Sequence, residues 1–137
     1  MNWTLEVVVV PVADVDRAKS FYAEKLGFEV DHDTEISEEY RVVQLTPPGS
    51  GCSIVVGKGV VGMTPGSLRG VQLVVNDIRA ARAQLVEWGV GVGEVQVVGA
   101  SGPRPAQDGE NLDYVGFVFF SDPDGNEWAV QQISARN

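Results

Sequence analysis

The chain has 137 residues, 44% of them hydrophobic, which is enough for one or two small cores. Nineteen acidic and ten basic residues give a formal net charge of −9. This charge argues against nucleic acid or a membrane surface as a partner, because phosphate groups bind mainly to Lys and Arg. The single cysteine, Cys52, excludes an internal disulfide and a zinc site built from several cysteines.

The N-terminal stretch MNWTLEVVVV has no basic residues and no small-residue cleavage site, so it does not resemble a signal peptide. No apolar run in the sequence approaches the roughly 20 residues that span a membrane. We therefore expect a cytoplasmic protein.

The first half of the chain predicts a strand, a helix and three further strands. The β-branched run LEVVVV at 5–10 lacks alternation, which is typical of a strand covered on both faces. Asp14 is a good N-cap for the helix, and Gly27 ends it. The breaks TEISE and TPPGSG separate three strand-like runs, FEVDHD from Phe28, YRVVQL from Tyr40 and CSIVV from Cys52.

The second half repeats this order, with a strand at 71–75, a helix between Asp77 and Gly89, and the strand-like runs VGEVQVV, YVGFVFF and EWAVQQI. The two N-caps are 63 residues apart and the two helix-ending glycines 62, so the first helix is one residue longer. A duplicated βαβββ unit explains this pattern. We expect a first module at 1–58, a glycine-rich linker at 59–68 and a second module at 69–137, together forming one domain.

Two segments of the second half stand outside the predicted elements. The run from Gly99 to Asp113 has no periodicity, and such a stretch in a small domain is either disordered or a functional loop. The sequence DPDGN at 122–126 predicts a tight turn, which sets the register of the last strand.

The element order, with DVDRAKSFYAEKLGF in the first helix and FSDPDGNEWAVQQ before the last strand, resembles the vicinal oxygen chelate superfamily. That group includes glyoxalase I, extradiol dioxygenases and the bleomycin- and fosfomycin-resistance proteins. The resemblance implies an α+β fold in which two tandem βαβββ modules form an open cup-shaped mixed β-barrel, with helices outside and a ligand cleft inside. It also implies a homodimer.

Active members of the superfamily hold one divalent metal through His, Glu or Gln side chains on the first and last strand of each module. Counting from the two motifs carries these positions to Val7, Val55, Gly70 (Val71 if the register shifts by one) and Ala129. None of these residues has a side-chain donor for a metal. We therefore expect no metal and no other cofactor, and we expect the only histidine, His32, to be an exposed residue near a strand end.

Alternation from the positions that the resemblance implies predicts an apolar pocket with a few polar groups, as organic ligands require. Tyr114 and Phe117, after the long loop, are added as candidate walls, and Arg41, at the start of the third strand, as a candidate partner for an anionic group. The two glutamines of this pocket could equally be solvated surface residues. Its aromatic residues could equally serve only to pack the protein interior. The predicted pocket residues are Val7, Val9, Arg41, Ser53, Val55, Gln72, Tyr114, Phe117, Glu127, Ala129 and Gln131.

The sequence favours a metal-free protein that binds a small organic molecule and resembles the drug-binding, bleomycin-resistance-type members of the superfamily. Two enzymatic alternatives stay open. One is a metal-independent isomerase, epimerase or lyase that uses Glu127 or Tyr114. The other is a divergent metalloenzyme of the glyoxalase or dioxygenase type.

Overall fold

The computed structural model describes residues 1–135, which fold into two units. Unit 1 comprises Met1–Leu68 and Asp122–Asn126, and unit 2 comprises Arg69–Ser121 and the chain from Glu127 onward. Each unit carries one open sheet with one parallel pair of strands and a helix from the same half of the sequence. The predicted α+β class and the tandem βαβββ modules are thereby confirmed.

In unit 1 a strand and a helix are followed by three strands, as predicted. Their bounds are β1 (Val7–Val9), α1 (Val15–Ser20), β2 (Glu29–Ser37), β3 (Tyr40–Thr46) and β4 (Ser53–Lys58). The sheet order is β1-β4-β3-β2, with β1 parallel to β4 and the other pairs antiparallel. The predicted break TEISE is wrong in its first four residues, because β2 pairs with β3 as far as Ser37 opposite Tyr40.

The first helix begins where the sequence predicts. The Asp14 side chain accepts a hydrogen bond from the Arg17 backbone N–H at 3.0 Å, which caps the helix. After Ser20 the chain continues as a π-helical turn at Phe21–Lys25, in which the Leu26 N–H bonds to the Phe21 carbonyl. The wider turn accommodates the extra residue of the first helix.

Unit 2 repeats the order with one additional strand. Its elements are β5 (Val71–Val75), α2 (Ile78–Glu87), β6 (Gln96–Gly99), β7 (Gly102–Pro105), β8 (Gly116–Ser121) and β9 (Glu127–Gln132), in the sheet order β5-β9-β8-β6-β7. Asp77 caps α2 through the Ala80 N–H, as predicted. The stretch 99–113, read as a functional loop or a disordered segment, includes β7, which forms a hairpin with β6.

A short ion pair stabilises the chain that follows β7. The Arg104 guanidinium donates hydrogen bonds to the Glu110 carboxylate, and the Gln107 backbone N–H donates another at 3.0 Å. These donors, Arg104 first, lower the pKa of Glu110 to about 2. The segment thus has local order of its own, although all of its charged groups are near solvent.

Each sheet buries the face that packs against its own helix. In unit 1 this face carries Val43, Leu45 and Val56, which are fully buried. In unit 2 it carries Trp128 and Val130, which are almost fully buried. Because side chains alternate along a strand, the other face of each sheet, which we call its helix-free face, holds the residues between them.

Five residues from the second half of the sequence belong to unit 1. Within the turn 122–126, buried Asp122 accepts hydrogen bonds from the Tyr22 hydroxyl at 2.7 Å and from the Asn126 side-chain amide at 2.8 Å. The same Asn126 amide group donates to the Pro11 carbonyl at 2.8 Å and accepts from the Leu68 N–H at 3.0 Å. The DPDGN turn is therefore held by a buried polar cluster of unit 1.

Candidate functional site

Four predicted pocket residues lie together on the helix-free face of the unit 1 sheet. Val7 is opposite Ser53 and Val9 is opposite Val55 in the parallel pair β1–β4, so all four side chains leave the same face. Ser53 and Val55 are each only 7% exposed, and the two β1 valines are half-buried. This part of the face is an apolar strip with one hydroxyl.

Two further residues, which the sequence reading missed, make this strip polar at one end. The Thr46 hydroxyl lies 2.6 Å from the Ser53 hydroxyl and donates a hydrogen bond to the Asp31 carboxylate. Thr46 was accessible from the sequence, because alternation through Val42 and Gln44 places it on the same face. Asp31 was not, because its face follows from the pairing of Glu29 with Thr46, and the sequence does not show that pairing.

Arg41 is not brought together with these residues. It lies opposite Lys58, and its side chain points to the helix side of the sheet, whereas the Val55 side chain points to the helix-free face. There it donates two hydrogen bonds to Asp33, at 3.0 and 2.8 Å, and one to Asp16 at 2.8 Å. It lines a separate groove of about 490 Å³ with Asp16 and residues of the 57–65 segment.

The charges around Arg41 are mutually satisfied. Hydrogen bonds from Arg41 and then from Lys19 hold the pKa of Asp33 well below its usual range. Hydrogen bonds to Asp33 and Asp16 raise the pKa of Arg41 above its usual value. A guanidinium already bound to two carboxylates has few donors left for an anionic ligand.

The remaining predicted pocket residues lie in unit 2. Ala129 is opposite both Gln72 on β5 and Phe119 on β8, and Gln131 is opposite Phe117, so these five residues share the helix-free face. The rings of Phe117 and Phe119 stack in parallel, with centroids 6.0 Å apart. Phe119, which the sequence reading missed, is 43% exposed.

Amide groups border this aromatic pair. The Gln72 amide donates to the Gln131 side-chain oxygen at 2.5 Å, and the Gln131 amide donates to the Tyr114 carbonyl at 2.7 Å. Tyr114 itself has a positive φ of 66°, and its side chain is 57% exposed. The face thus combines an exposed aromatic surface with a fixed row of amides.

The two catalytic candidates lie in ordinary surface environments. The Glu127 carboxylate is 3.4 Å from the Arg69 guanidinium, and both side chains are more than half exposed. With Phe119 and Ser121, Glu127 lines an open groove of about 430 Å³. A solvated, ion-paired carboxylate lacks the burial that tunes a general base, and the Tyr114 side chain is similarly exposed.

The residues that counting from the motifs assigns to the superfamily's metal positions do not fit a metal. Val7, Val55 and Ala129 are on the helix-free faces, as the counting places them, but none has a donor atom. Gly70 has no side chain, and Val71 is apolar. Within residues 1–135, no group of three or more His, Cys, Asp or Glu side chains is arranged to hold a metal ion.

No helix in the described part of the chain is long and apolar enough to cross a membrane.

The sequence matches the family model of the Glyoxalase/Bleomycin resistance protein/Dioxygenase superfamily over residues 4–130. The chain therefore belongs to this superfamily, as its motifs indicated. None of the curated proteins matches it.

Solved structures agree with this assignment. TnmS3, an antibiotic binding protein from Streptomyces sp. CB03234, is 32% identical with a TM-score of 0.74, and the match covers 97% of this chain and 98% of that one. A glyoxalase/bleomycin resistance protein from the same organism is 33% identical, with a TM-score of 0.71 and coverages of 94% and 100%. A superfamily member from Sphaerobacter thermophilus DSM 20745 is 27% identical, with a TM-score of 0.74 and coverages of 96% and 98%.

Proposed function

We propose that the chain is a binding protein for a small organic molecule, which acts by affinity, without a metal and without chemical turnover. The observation that carries this proposal is the helix-free face of unit 2. It keeps a stacked aromatic pair, of which Phe119 is exposed, and an amide row beside Ala129, the position that counting from the motifs assigns to a metal ligand. Exposed apolar surfaces rimmed by polar groups are typical of ligand sites.

The chemistry of this face favours a ligand with a flat apolar part. A ring that stacks on Phe119 buries apolar area on both partners, at roughly 25 cal/mol per Å². The amides of Gln72 and Gln131 are already ordered by their mutual hydrogen bond, so they orient polar groups of a ligand at little entropic cost. The net charge of −9 favours neutral or cationic molecules over anions.

The relatives support the same class of ligand. TnmS3 is an antibiotic binding protein, and its similarity covers almost the whole of both chains. We therefore propose an antibiotic-like organic molecule, held on the helix-free face of unit 2 by the predicted residues of that face with Phe119 added. The proposed contacts there are Gln72, Tyr114, Phe117, Phe119, Glu127, Ala129 and Gln131. The helix-free face of unit 1, with Val7, Val9, Ser53 and Val55, is a second candidate surface, and Arg41 is left out because its side chain lies on the helix side of the sheet.

The homodimer implied by the resemblance and a cytoplasmic location belong to the same proposal. Sedimentation of the purified protein tests the first, because a dimer gives one species of twice the chain's mass.

The aromatic face is tested by substituting Phe119 with Ala and titrating 2-naphthylmethylamine while following backbone amide signals by NMR. We expect the probe to shift the amides of β8 and β9, and we expect Phe119→Ala to bind it about fivefold to tenfold more weakly, because a stacking partner and its buried area are lost. Ile36→Ala is the matched control, since Ile36 is an exposed apolar residue of β2 in unit 1. Equal affinity of Phe119→Ala and the unchanged protein would contradict the proposed face.

A further inference from the structure

A chain of three hydrogen-bonded side chains lies on the helix-free face of unit 1. Ser53 is 2.6 Å from Thr46, and Thr46 donates to Asp31. Ser53 is nearly buried, Thr46 is half-buried and Asp31 is exposed, so the chain runs from the interior of the sheet to its surface.

The direction of the protons in this chain is fixed. A carboxylate oxygen only accepts, so Thr46 gives its one hydroxyl proton to Asp31. The Thr46 oxygen then offers Ser53 only lone pairs, so Ser53 donates to Thr46. Both hydroxyl protons therefore point toward Asp31, and the surface end of the chain presents acceptor atoms only.

The backbone is built to hold Asp31 in this position. β2 has an irregularity between Val30 and His32, whereas Glu29 and Val30 stay in register with Thr46 and Leu45. Alternation from Glu29 places Asp31 on the face of Thr46, and the irregularity comes only after it, before His32. The Asp31 carboxylate therefore reaches Thr46 from the regular part of the strand, as their hydrogen bond shows.

The surroundings add an apolar floor and a second acid. Val7, Val9 and Val55 share this face with Ser53 and form the apolar floor. Glu29 is the second acid, because it lies on β2 opposite Thr46. An organic group that lies on the valines brings its polar end toward the acceptors of Asp31. An uncharged acceptor group there gains no hydrogen bond, and an anion meets two carboxylates.

We infer that the Asp31–Thr46–Ser53 chain is a specificity element that selects ligands with a hydrogen-bond donor, a protonated amine or a hydroxyl, attached to an apolar body. Asp31 contacts the donor, and Thr46 is a positioning residue that holds the carboxylate with its own hydroxyl proton while it accepts a hydrogen bond from Ser53. The inference rests on the proposed function, because it concerns the chemistry of the small organic molecule that the protein is proposed to bind.

A pair of neutral probes that differ only in one donor isolates this effect from the overall charge. The probes are 2-naphthol, which has a hydroxyl, and 2-methoxynaphthalene, in which a methyl group replaces its proton. NMR titration of the unchanged protein gives both affinities and maps the contact through the amide signals of Thr46 and Ser53. We expect 2-naphthol to bind roughly tenfold more tightly, since a hydrogen bond to a charged group is among the stronger ones.

Substitutions at Thr46 then test whether its hydroxyl positions the Asp31 carboxylate. Thr46→Val keeps the shape of the side chain and removes the hydroxyl, so the affinity ratio of the two probes should fall several-fold. Thr46→Ser keeps the hydroxyl and should restore the ratio, which a purely structural role of the side chain does not predict. Thr34→Val is the matched control, because Thr34 lies on β2, the strand that carries Asp31, and its side chain contacts His32 and not Asp31 or Thr46, so the ratio should stay unchanged.

The possible results separate the two claims. The specificity role of the Asp31–Thr46–Ser53 chain is overturned if the unchanged protein binds the two probes with equal affinity, or if Thr46→Val leaves their affinity ratio intact. If both probes still bind in that case, the proposed function stands. Absence of any amide shift with either probe, up to its solubility limit, contradicts the proposed function and the inference together. A thermal melt of each variant shows that the fold is retained before affinities are compared.

Discussion

At the residue scale, the sequence predicts the hydrogen-bond partners of polar side chains when those partners are a few residues away, but not when they are distant in the chain. Asp14 and Asp77 cap their helices through a backbone N–H three residues on, as the sequence predicts. The hydrogen bond between Tyr22 and Asp122 joins residues 100 positions apart, and the sequence around neither residue predicts it. Asp31 escaped the sequence reading because its face depends on the pairing of Glu29 with Thr46, which the sequence does not show.

The buried cluster around the DPDGN turn gives a prediction about stability. Asn126→Ala removes hydrogen bonds to the Pro11 carbonyl and to the Asp122 carboxylate, leaving buried acceptors with fewer donors. We expect the free energy of unfolding to fall by about 2–3 kcal/mol, measured by urea denaturation. Asn2→Ala, at a fully exposed residue, is the control and should change it by less than about 0.5 kcal/mol. A loss of similar size in both variants would refute the role of the cluster.

At the element scale, periodicity and capping located both helices and most strands, and the errors have physical causes. The one-residue difference between the helices was visible as an offset, but its form, a π-helical turn at Phe21–Lys25, depends on packing that the sequence does not display. The extension of β2 and the strand β7 arise from hairpin pairing, which supplies backbone partners to segments of low strand propensity. The helix-free faces followed from alternation wherever the strands are regular, and only there.

The ion pairs that join β2 and β3 to α1 give a prediction about pH. The pKa of Asp33 is lowered from its ordinary value of 3.8 because Arg41 and then Lys19 donate to its carboxylate in the folded state. A lowered pKa means that this group contributes its full stabilisation above that ordinary value and loses it as the pH falls toward the lowered one. We expect the free energy of unfolding to decrease below about pH 4, and Asp33→Asn to flatten this decrease.

Urea denaturation at several pH values between about 7 and 3 measures the effect. Glu24→Gln is the control, because Glu24 is exposed and the described residues show no ion pair to it. An Asp33→Asn profile parallel to that of the unchanged protein would show that this carboxylate does not link stability to pH.

At the scale of the whole molecule, the duplicated order and two motifs sufficed to predict the fold class and the superfamily, because both are properties of the entire chain. The division into units held one surprise, since the turn at 122–126 belongs to the unit of the first half. Alternation predicted which apolar residues share a helix-free face, whereas Asp31, Thr46 and Phe119 on those faces were not among the predicted residues. Arg41 was misplaced because its position at the start of β3 did not reveal which face its side chain takes.

The central claim is that the protein binds an organic molecule without a metal. It is tested most directly by metal analysis of the purified protein, followed by calorimetric titration with nickel, zinc, manganese and iron(II) and then with 2-naphthylmethylamine. We predict no stoichiometric metal in the protein, no heat of specific metal binding, and the same probe affinity with and without a chelator. The reason is that the positions that counting from the motifs assigns to metal ligands carry valine, alanine and glycine. One tightly bound metal ion per chain, or probe binding that requires one, would contradict the account.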